Sequence, residues 1–428
     1  MDSIIATIVL LVLLTLGVPI AFALILSALV GLVGLGGIGL AWSVMGTVTV
    51  TTASSYVLVA VPLYVFMGHL VLASGIGHKA YESIYKIMDW MRGSLAMASI
   101  GACAMFAATS GSSVATAAAI GQVAIPEMEK HKYDSALACG TVAAGGTLGI
   151  LIPPSIAMVV YGWLTGESIG RLLIAGIVPG IISALAYMTT IFLWITVNPR
   201  AVSAPSRSTM RERVKALPGL WGVLCLFFIA VGTIYLGVAT PTEAAAFGAF
   251  AAMLIAWRQL IGGKGLLLTA LTETVKTTSM LFAIMMGAML FGTLLTMSGV
   301  ITLFSNWVIG LHVHRGVVLA FSLLIWLPLG LFLDSNSILL ITLPIIYPVI
   351  KSLGYDGIWF GVIIVKVIEM DLLTPPVAMN VLVIKAVVPW VPLRRIVMGT
   401  IPFMISDISM IILFVYFPQI VLWLPSQM

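Results

Sequence analysis

GGTLGILIPPS, residues 145–155, lies within an apolar stretch that spans 135–197. An intact membrane helix cannot be drawn through it. Gly145, Gly146 and Gly149 weaken the helix. Pro153 and Pro154 end it, because the residue before a proline is pushed out of helical geometry. Carbonyls freed at such a break are hard oxygen ligands suited to Na+, and the C-terminal end of a half-helix favours a cation. A simple kink accounts for the same residues.

The device occurs twice. EMDLLTPPVAMN, residues 369–380, carries the second Pro-Pro pair, so that Pro153, Pro154 and Leu151 reappear 222 residues later as Pro375, Pro376 and Leu373. Pro126, Tyr133 and Asp134 return at the same offset as Pro348, Tyr355 and Asp356, and Ser113 as Ser335. Further upstream, Gly68, Leu70, Ser74 and Gly75 match Gly292, Leu294, Ser298 and Gly299 at an offset of 224. Matched prolines and Tyr-Asp pairs in one register are not what chance produces among apolar residues, so the chain reads as an internal duplication.

The surroundings of these motifs are lipid-like. Of 428 residues 61% are hydrophobic and 8% charged, against roughly 25% charged in a soluble domain. The mean hydropathy is +1.18. This excludes a soluble enzyme, a nucleic-acid binder and a disordered scaffold. The net charge of +5 is no nucleic-acid signal, because Arg200, Arg207, Arg211, Arg213 and Lys215 fall in one polar stretch with no interleaved aromatics. Apolar stretches cover 4–36, 40–76, 93–126, 135–197, 217–262, 266–311, 316–350, 357–392 and 396–424, enough for about ten to twelve membrane-embedded elements, some re-entrant. The first run lacks a basic leader and reads as a retained span. Cys103, Cys139 and Cys225 lie in apolar runs without paired spacing and read as inert thiols. Trp and Tyr near segment ends read as interface anchors.

Basic residues cluster at 78–92, 200–215, 258–264 and 394–395, which fits both termini outside and the central linker inside. Each half then crosses an odd number of times, and the halves are inverted relative to one another. The uncertain count is in 4–36, one tilted helix or two broken at Gly17-Val18-Pro19; a single helix would move the N-terminus inside.

Polar residues sit where inverted repeats with broken segments place a transport site, near the midplane. SGSSVATAAAIG, residues 110–121, supplies Ser110, Ser112, Ser113 and Thr116 to satisfy the backbone of a turn inside the membrane. Small-residue helix packing uses the same residue types. Asp334, Glu369 and Asp371 are carboxylates in apolar sequence and mark an ion path by default. For Glu369 an internal i,i+3 pair with Lys366 is the plainer alternative. Glu243 is read as part of a helix start capped by Thr242, and Asp407 and His69 as internally satisfied. Motifs of hydrolases and ATP-driven pumps are missing (HExxH, GxxxxGK[ST], GxSxG), which points to an ion gradient or downhill flow and to no enzyme. Proton-coupled exchange through Asp334 and Glu369, or a non-transporting membrane scaffold, are the other readings.

SGSSVATAAAIG followed by IPEM, and YDSALACGTVAAGGTLGILIPPSIAMVVYG at 133–162, resemble the large membrane subunit of tripartite ATP-independent periplasmic (TRAP) transporters. GVATPTEAAAFGA at 237–249, FLDSNSILLITLPIIYP at 332–348 and LLTPPVAMN at 372–380 carry the resemblance through the second half. It implies an all-α polytopic membrane protein of two inverted-topology repeats, with re-entrant helical hairpins, interrupted helices and elevator-type transport. The first repeat would span 1–198, with a hairpin near 95–126 and a broken helix near 135–160. A basic cytoplasmic linker would occupy 199–216. The second repeat would span 217–428, with a hairpin near 317–350 and a broken helix near 357–388.

The resemblance further implies Na+ as coupling ion, a small four-helix membrane subunit, and a periplasmic substrate-binding protein delivering an organic acid across a bacterial inner membrane. Carried over by motif, one Na+ site would use Ser110, Ser112 and Ser113 with backbone around Gly145, Leu148 and Ile150. The second would use Asp334, Ser335 and Asn336 with backbone near Asp371 and Thr374. Substrate would lie between the tips, near Thr116, Pro153, Ser155, Pro375 and Asn380. The chain departs from the family pattern at Asp371 and Ala378, where glycine is expected.

Overall fold

A computed structural model describes residues 2–202, 208–262, 265–310, 313–330, 333, 335–376 and 378–428. Asp334 and Arg207, named above, lie outside the described residues. Every regular element among the described residues is helical. By length and apolar composition, 8 helices among them suffice to cross a membrane.

The first half contains α1 (Asp2–Thr15), α2 (Ile20–Ala53), α3 (Ala60–Ala73), α4 (Ile76–Met88), α5 (Ser94–Ser110), α6 (Ser113–Lys130), α7 (Ser135–Leu151), α8 (Ile156–Thr165), α9 (Ile169–Ala175) and α10 (Ile177–Val197). The chain breaks at Gly17, whose φ of +76° suits glycine, and Pro19 caps α2, so the 4–36 stretch is two helices. Next come α11 (Met210–Ala216) and α12 (Trp221–Phe227), which passes through a π turn at Phe228–Gly232 into α13 (Thr233–Tyr235). The chain continues with α14 (Pro241–Ile255), α15 (Trp257–Gly262), α16 (Leu266–Met297), α17 (Val300–Gly310), α18 (Arg315–Gly330), α19 (Ser335–Ser352), α20 (Gly357–Asp371), α21 (Met379–Val387), α22 (Leu393–Tyr416) and α23 (Pro418–Leu422).

The duplication is visible in local chemistry. Helices α6 and α19 are both 18 residues long and begin at matched serines, Ser113 and Ser335. Asp134 caps α7 by accepting from Ala136 and Leu137 N–H, and Asp356 caps α20 by accepting from Ile358 and Trp359 N–H, at 2.8–3.3 Å. Gly75 and Gly299 adopt the same left-handed turn, φ +69° and +72°. Both Pro-Pro bonds are cis. One expectation fails: α14 is capped by Thr240, not Thr242. Pro241, with its fixed φ, takes the first helical position, and Glu243 closes the capping box on Thr240.

Ion pairs and hydrogen bonds orient the copies. Helix α8 follows α7 beyond the break, and its end meets the start of α20: Tyr161 Oη donates to the Gly357 carbonyl at 2.6 Å, and Tyr347 and Lys351 bond Glu167 at 2.5 and 2.7 Å. At the other end, the start of α7 meets the segment after α21. Arg395 pairs with Asp134 at 3.1 Å and Trp390 Nε1 donates to Glu129 at 3.0 Å. The α7–α8 and α20–α21 pairs therefore run antiparallel, which makes the repeats inverted. Each hairpin enters and leaves on one face. Tyr133, after α6, lies against Ser94 at the start of α5. Its counterpart Tyr355, after α19, carries the Arg315 guanidinium at the start of α18, 5.7 Å from its ring centre.

Charge sorts the two faces. Arg213 pairs with Asp89 at 3.1 Å, and Asp134 N–H donates to the Ala201 carbonyl, so the linker, the first hairpin base and Arg395 share one face. Arg92, Lys130, Lys132, Arg200, Arg211, Lys215 and Arg394 lie in the same segments. The opposite face has Glu167, Arg171, Arg315 and Lys351. Among the described residues, Lys and Arg thus gather on the linker face.

The core is the pair of broken helices. Every residue of α20, and of α7 from Ala136 onward, is buried. Helix α22 crosses α7 backbone to backbone: a Cβ at Gly140 would collide with Gly399, and one at Gly399 with the Ala136 carbonyl. Between α7, α10, α20 and α22 lies a fully buried charge cluster. Lys366 Nζ is 2.7 Å from both Glu369 Oε2 and Asp407 Oδ1. Tyr187 Oη donates to Asp407 at 2.6 Å and lies 3.1 Å from Thr147 Oγ1. Glu369 thus takes the internal pair rather than a free position.

Two outcomes follow for unfolding in detergent. Lys366→Met leaves two buried carboxylates uncompensated and lowers stability by about 3–5 kcal/mol, most of which returns when Glu369→Met and Asp407→Leu are added. Ala378, whose φ of +39° and ψ of +62° place it in the left-handed region, is strained; Ala378→Gly raises stability by about 1 kcal/mol.

Candidate functional site

Helix α5 ends at Ser110 because Gly111 turns the chain left-handed, φ +62°, and α6 restarts at once with Ser112 as cap, accepting from Ala115 N–H at 3.3 Å. The tip's oxygens converge. Ser110 Oγ lies 2.9 Å from Thr116 Oγ1, which donates to the Ser112 carbonyl at 2.7 Å. This tip rests on the α7–α8 break. A Cβ at Gly149 would meet the Ser112 carbonyl and Thr116 Oγ1 within 2.8 Å, and one at Gly111 would meet the Pro154 carbonyl at 2.6 Å. Glycine at 149 therefore lets tip oxygens reach the helix end.

That helix end is short of donors. In an α-helix the carbonyls of Gly149 and Ile150 would bond the N–H groups of residues 153 and 154, and both are prolines without N–H. Leu148 is satisfied by Ile152 N–H at 2.9 Å. Hydroxyl and main-chain oxygens face carbonyls lacking their usual donors, a set that fits a hard, small cation. Among the described residues no group of three or more His, Cys, Asp or Glu side chains converges, so such a cation would rest on hydroxyl and backbone oxygens.

The structure separates some expected ligands. Ser113 faces away from this cluster and donates to Asn380 Oδ1 at 2.9 Å, while Asn380 Nδ2 donates to the Ala143 carbonyl at 2.9 Å. Asn380 is completely buried and ties α21 to α6 and α7, so both ends of its amide serve the joint between repeats. Gly145 faces α5, where a Cβ would meet Cys103 at 2.8 Å. Ser155 is buried and caps α8, accepting from Met158 N–H at 3.3 Å. Gly149 is the residue that sequence reasoning credited only with weakening the helix; its place one turn before the Pro-Pro pair was the available signal.

At the second break Thr374 Oγ1 donates to the Met370 carbonyl at 2.8 Å, and Asn380 N–H reaches the Leu372 carbonyl at 3.2 Å. Ser335 is buried at the start of α19, and Asn336 follows it; Asp334 is outside the described residues. Asp371 lies against Gly330 at the end of α18, where any side chain at 330 would overlap its carboxylate. Pro153 and Pro154 are buried, whereas Pro375 and Pro376 are exposed.

The match to known proteins covers nearly the whole chain. Residues 7–420 match the family described as "Tripartite ATP-independent periplasmic transporter, DctM component". The C4-dicarboxylate TRAP transporter large permease protein DctM of Pseudomonas aeruginosa is 37% identical over 380 residues, 88% of this chain and 87% of that protein. The sialic acid TRAP transporter large permease protein SiaM of Vibrio cholerae is 30% identical over 96% of this chain and 95% of its own. The 2,3-diketo-L-gulonate TRAP transporter large permease protein YiaN of Escherichia coli is 29% identical over 95% of each. In fold, the chain resembles the YdaH transporter of Alcanivorax borkumensis, with a TM-score of 0.59 at 16% identity over 89% of this chain and 88% of that one. With its paired hairpins and broken helices and this match from end to end, the chain belongs to the DctM component family of tripartite ATP-independent periplasmic transporters.

Proposed function

We propose that the protein imports a small organic acid by Na+-coupled secondary transport, receiving it from a periplasmic binding protein and working with a small four-helix membrane subunit. One observation carries this reading: the first hairpin tip brings Ser110, the Ser112 carbonyl and Thr116 onto the bare Cα of Gly149, beside carbonyls whose donors are prolines. Na+ held there would supply positive charge at the midplane. The substrate class follows from what the related permeases are named for, a C4-dicarboxylate, sialic acid and 2,3-diketo-L-gulonate, which share a carboxylate.

No Arg lies in the motif segments 110–121, 145–155, 334–348 and 369–380. The groups of this chain suited to an anion are the starts of α8 and α21, half-helix N-termini directed from the two breaks. Packing supports an elevator. Helices α2, α3, α14 and α16 form one packed group, and the hairpins, broken helices, α10 and α22 another. A cleft of about 460 Å³ opens between α8, α19, α16 and α17, beside the contact of Gly292 with Pro344 that joins α16 to α19.

In proteoliposomes with binding protein and small subunit, an inward Na+ gradient drives accumulation of the organic acid and K+ in its place does not; equal uptake in both overturns the coupling. Gly149→Ala fills the space under the tip. The overlap with the Ser112 carbonyl lowers the melting temperature in K+ as well, and beyond that Na+-dependent uptake falls at least tenfold and the further rise in melting temperature on adding Na+ disappears. An unaltered Na+ response would remove this cradle from the ion site.

A further inference from the structure

Helices α10 and α22 run antiparallel and leave a groove open on the outside of the molecule. Helix α10 lines it from Ala186 to Asn198 and α22 from Met398 to Met410, each at the i, i+3, i+4 spacing of a single helix face. The two helices close behind it, where Tyr187 and Phe403 pack edge to face with ring centres 5.6 Å apart. Leu193, Val197, Met398, Ile401 and Ile405 stand exposed along it. Thr189, Thr190 and Ser409 also line it, but each donates its hydroxyl proton to a carbonyl of its own helix at 2.8–3.0 Å. The walls are thus apolar in effect.

Length and charge say what fits. The groove has a volume of about 810 Å³, room for a chain molecule rather than an ion. From Asn198 it follows α10, and from Met398 it follows α22, for about 18 Å of helix. The hydrocarbon core of a bilayer is about 30 Å thick, so the groove passes through one leaflet and stops. A partner helix spanning the membrane would need a track of the full thickness, whereas an acyl chain needs one leaflet. The end at Asn198 and Met398 lies on the linker face. There the Asp134 N–H donates to the Ala201 carbonyl, just past α10, and the Asp134 carboxylate pairs with Arg395 of α22 at 3.1 Å. Arg200 lies two residues beyond Asn198, and Arg394 one turn before Met398. Both are exposed, and neither has an ion pair among the described residues. The carboxylates of this end are engaged elsewhere: Asp134 with Arg395, Glu129 with Trp390 Nε1 at 3.0 Å, and Glu127 with Lys130 at 2.9 Å.

We propose that this groove binds an anionic phospholipid of the linker-face leaflet, with one acyl chain between α10 and α22 and the phosphate held by Arg200 and Arg394. A guanidinium group meets a phosphate with two parallel hydrogen bonds, and basic residues at the end of an apolar intramembrane groove select an anionic headgroup. A zwitterionic lipid offers the same chains, but its own cation is repelled by the two arginines. Both helices belong to the packed group that carries the hairpins, so the lipid anchors that group rather than α2, α3, α14 and α16. The site is separate from the hairpin tips and from both breaks, and it does not depend on the coupling ion.

The test uses the full chain with its small subunit in phosphatidylcholine nanodiscs that contain a trace of phosphatidylglycerol with a photoreactive diazirine in one acyl chain. After illumination, peptide mass spectrometry should find the label concentrated on α10 and α22. Unlabelled phosphatidylglycerol should compete it away, and neither extra phosphatidylcholine nor free glycerol phosphate should do so. Arg200→Gln combined with Arg394→Gln should lower the labelling of these two helices about tenfold. The double variant should melt as wild type does in pure phosphatidylcholine, because neither guanidinium loses an ion pair. Thr190→Phe, which fills the groove, should remove the label with both arginines in place. Label spread evenly over the lipid-facing helices, equal competition by phosphatidylcholine, displacement by glycerol phosphate, or an arginine double variant that labels as wild type overturns the proposal. Label that reaches α10 and α22 only when the small subunit is left out makes the groove a seat for protein and overturns it as well.

Discussion

A peptide carbonyl inside hydrocarbon has no water to fall back on. Leaving one without a partner costs several kcal/mol. Pro153 and Pro154 impose that condition at the first break by deleting consecutive N–H donors at the end of a buried helix, whereas at the second break Thr374 and Asn380 N–H take up the Asp371 and Leu372 carbonyls. The rest of the architecture reads as the answer. A hairpin tip carrying hydroxyls and the Ser112 carbonyl is packed onto the first break, against the bare Cα of Gly149. Glycine and alanine dominate the approach because a backbone cannot come within reach of another while side chains intervene. The contacts at Gly149, Gly140 and Gly399 leave no room even for a methyl group.

Inversion solves a second part of the same problem. A single broken helix would expose its gap on one side. Two antiparallel copies interleave, so that the amide of Asn380 from one repeat donates to Ala143 and accepts from Ser113 of the other. The charge cluster lies between the two broken helices. Glu369 of α20 occupies the position that Thr147 holds in α7, 222 residues earlier, and both belong to the chain of contacts through Lys366, Asp407 and Tyr187. Such a cluster is a weak source of net stability, since desolvating three charges offsets most of their attraction. It also holds register: sliding either helix by one turn would part Lys366 from the two carboxylates that are its ion-pair partners among the described residues.

The legible part of this fold was local chemistry. Asp134 and Asp356 cap their helices by bonds to residues two and three positions away, and prolines act on their own turn, so the duplication and both breaks could be read from residue types in one register. The inverted pairing followed from charge placement along the chain. Partnership across repeats was not legible. Ser113 and Asn380 are 267 residues apart in sequence, and nothing in either neighbourhood says that the serine serves the amide rather than the tip. Gly149 was read as a weak point in a helix, because the need for an empty Cα arises only once the tip is docked. The three-residue spacing of Thr240 and Glu243 and the place of Pro241 between them were legible as a capping box, and reading Thr242 as the cap passed over them.

Departures from symmetry matter more than the symmetry. Identical copies would present both breaks alike to their surroundings. Instead the first break is buried and the second leaves Pro375 and Pro376 exposed. Ala378 holds a left-handed backbone that glycine would adopt without strain, and Asp371 stands where its counterpart is a bare Cα. All these differences gather within eight residues of the second break. The strained Ala378 and a carboxylate without a hydrogen-bond partner among the described residues thus sit at that break alone. A duplicated scaffold supplies the common geometry, and the unequal residues set its two breaks apart.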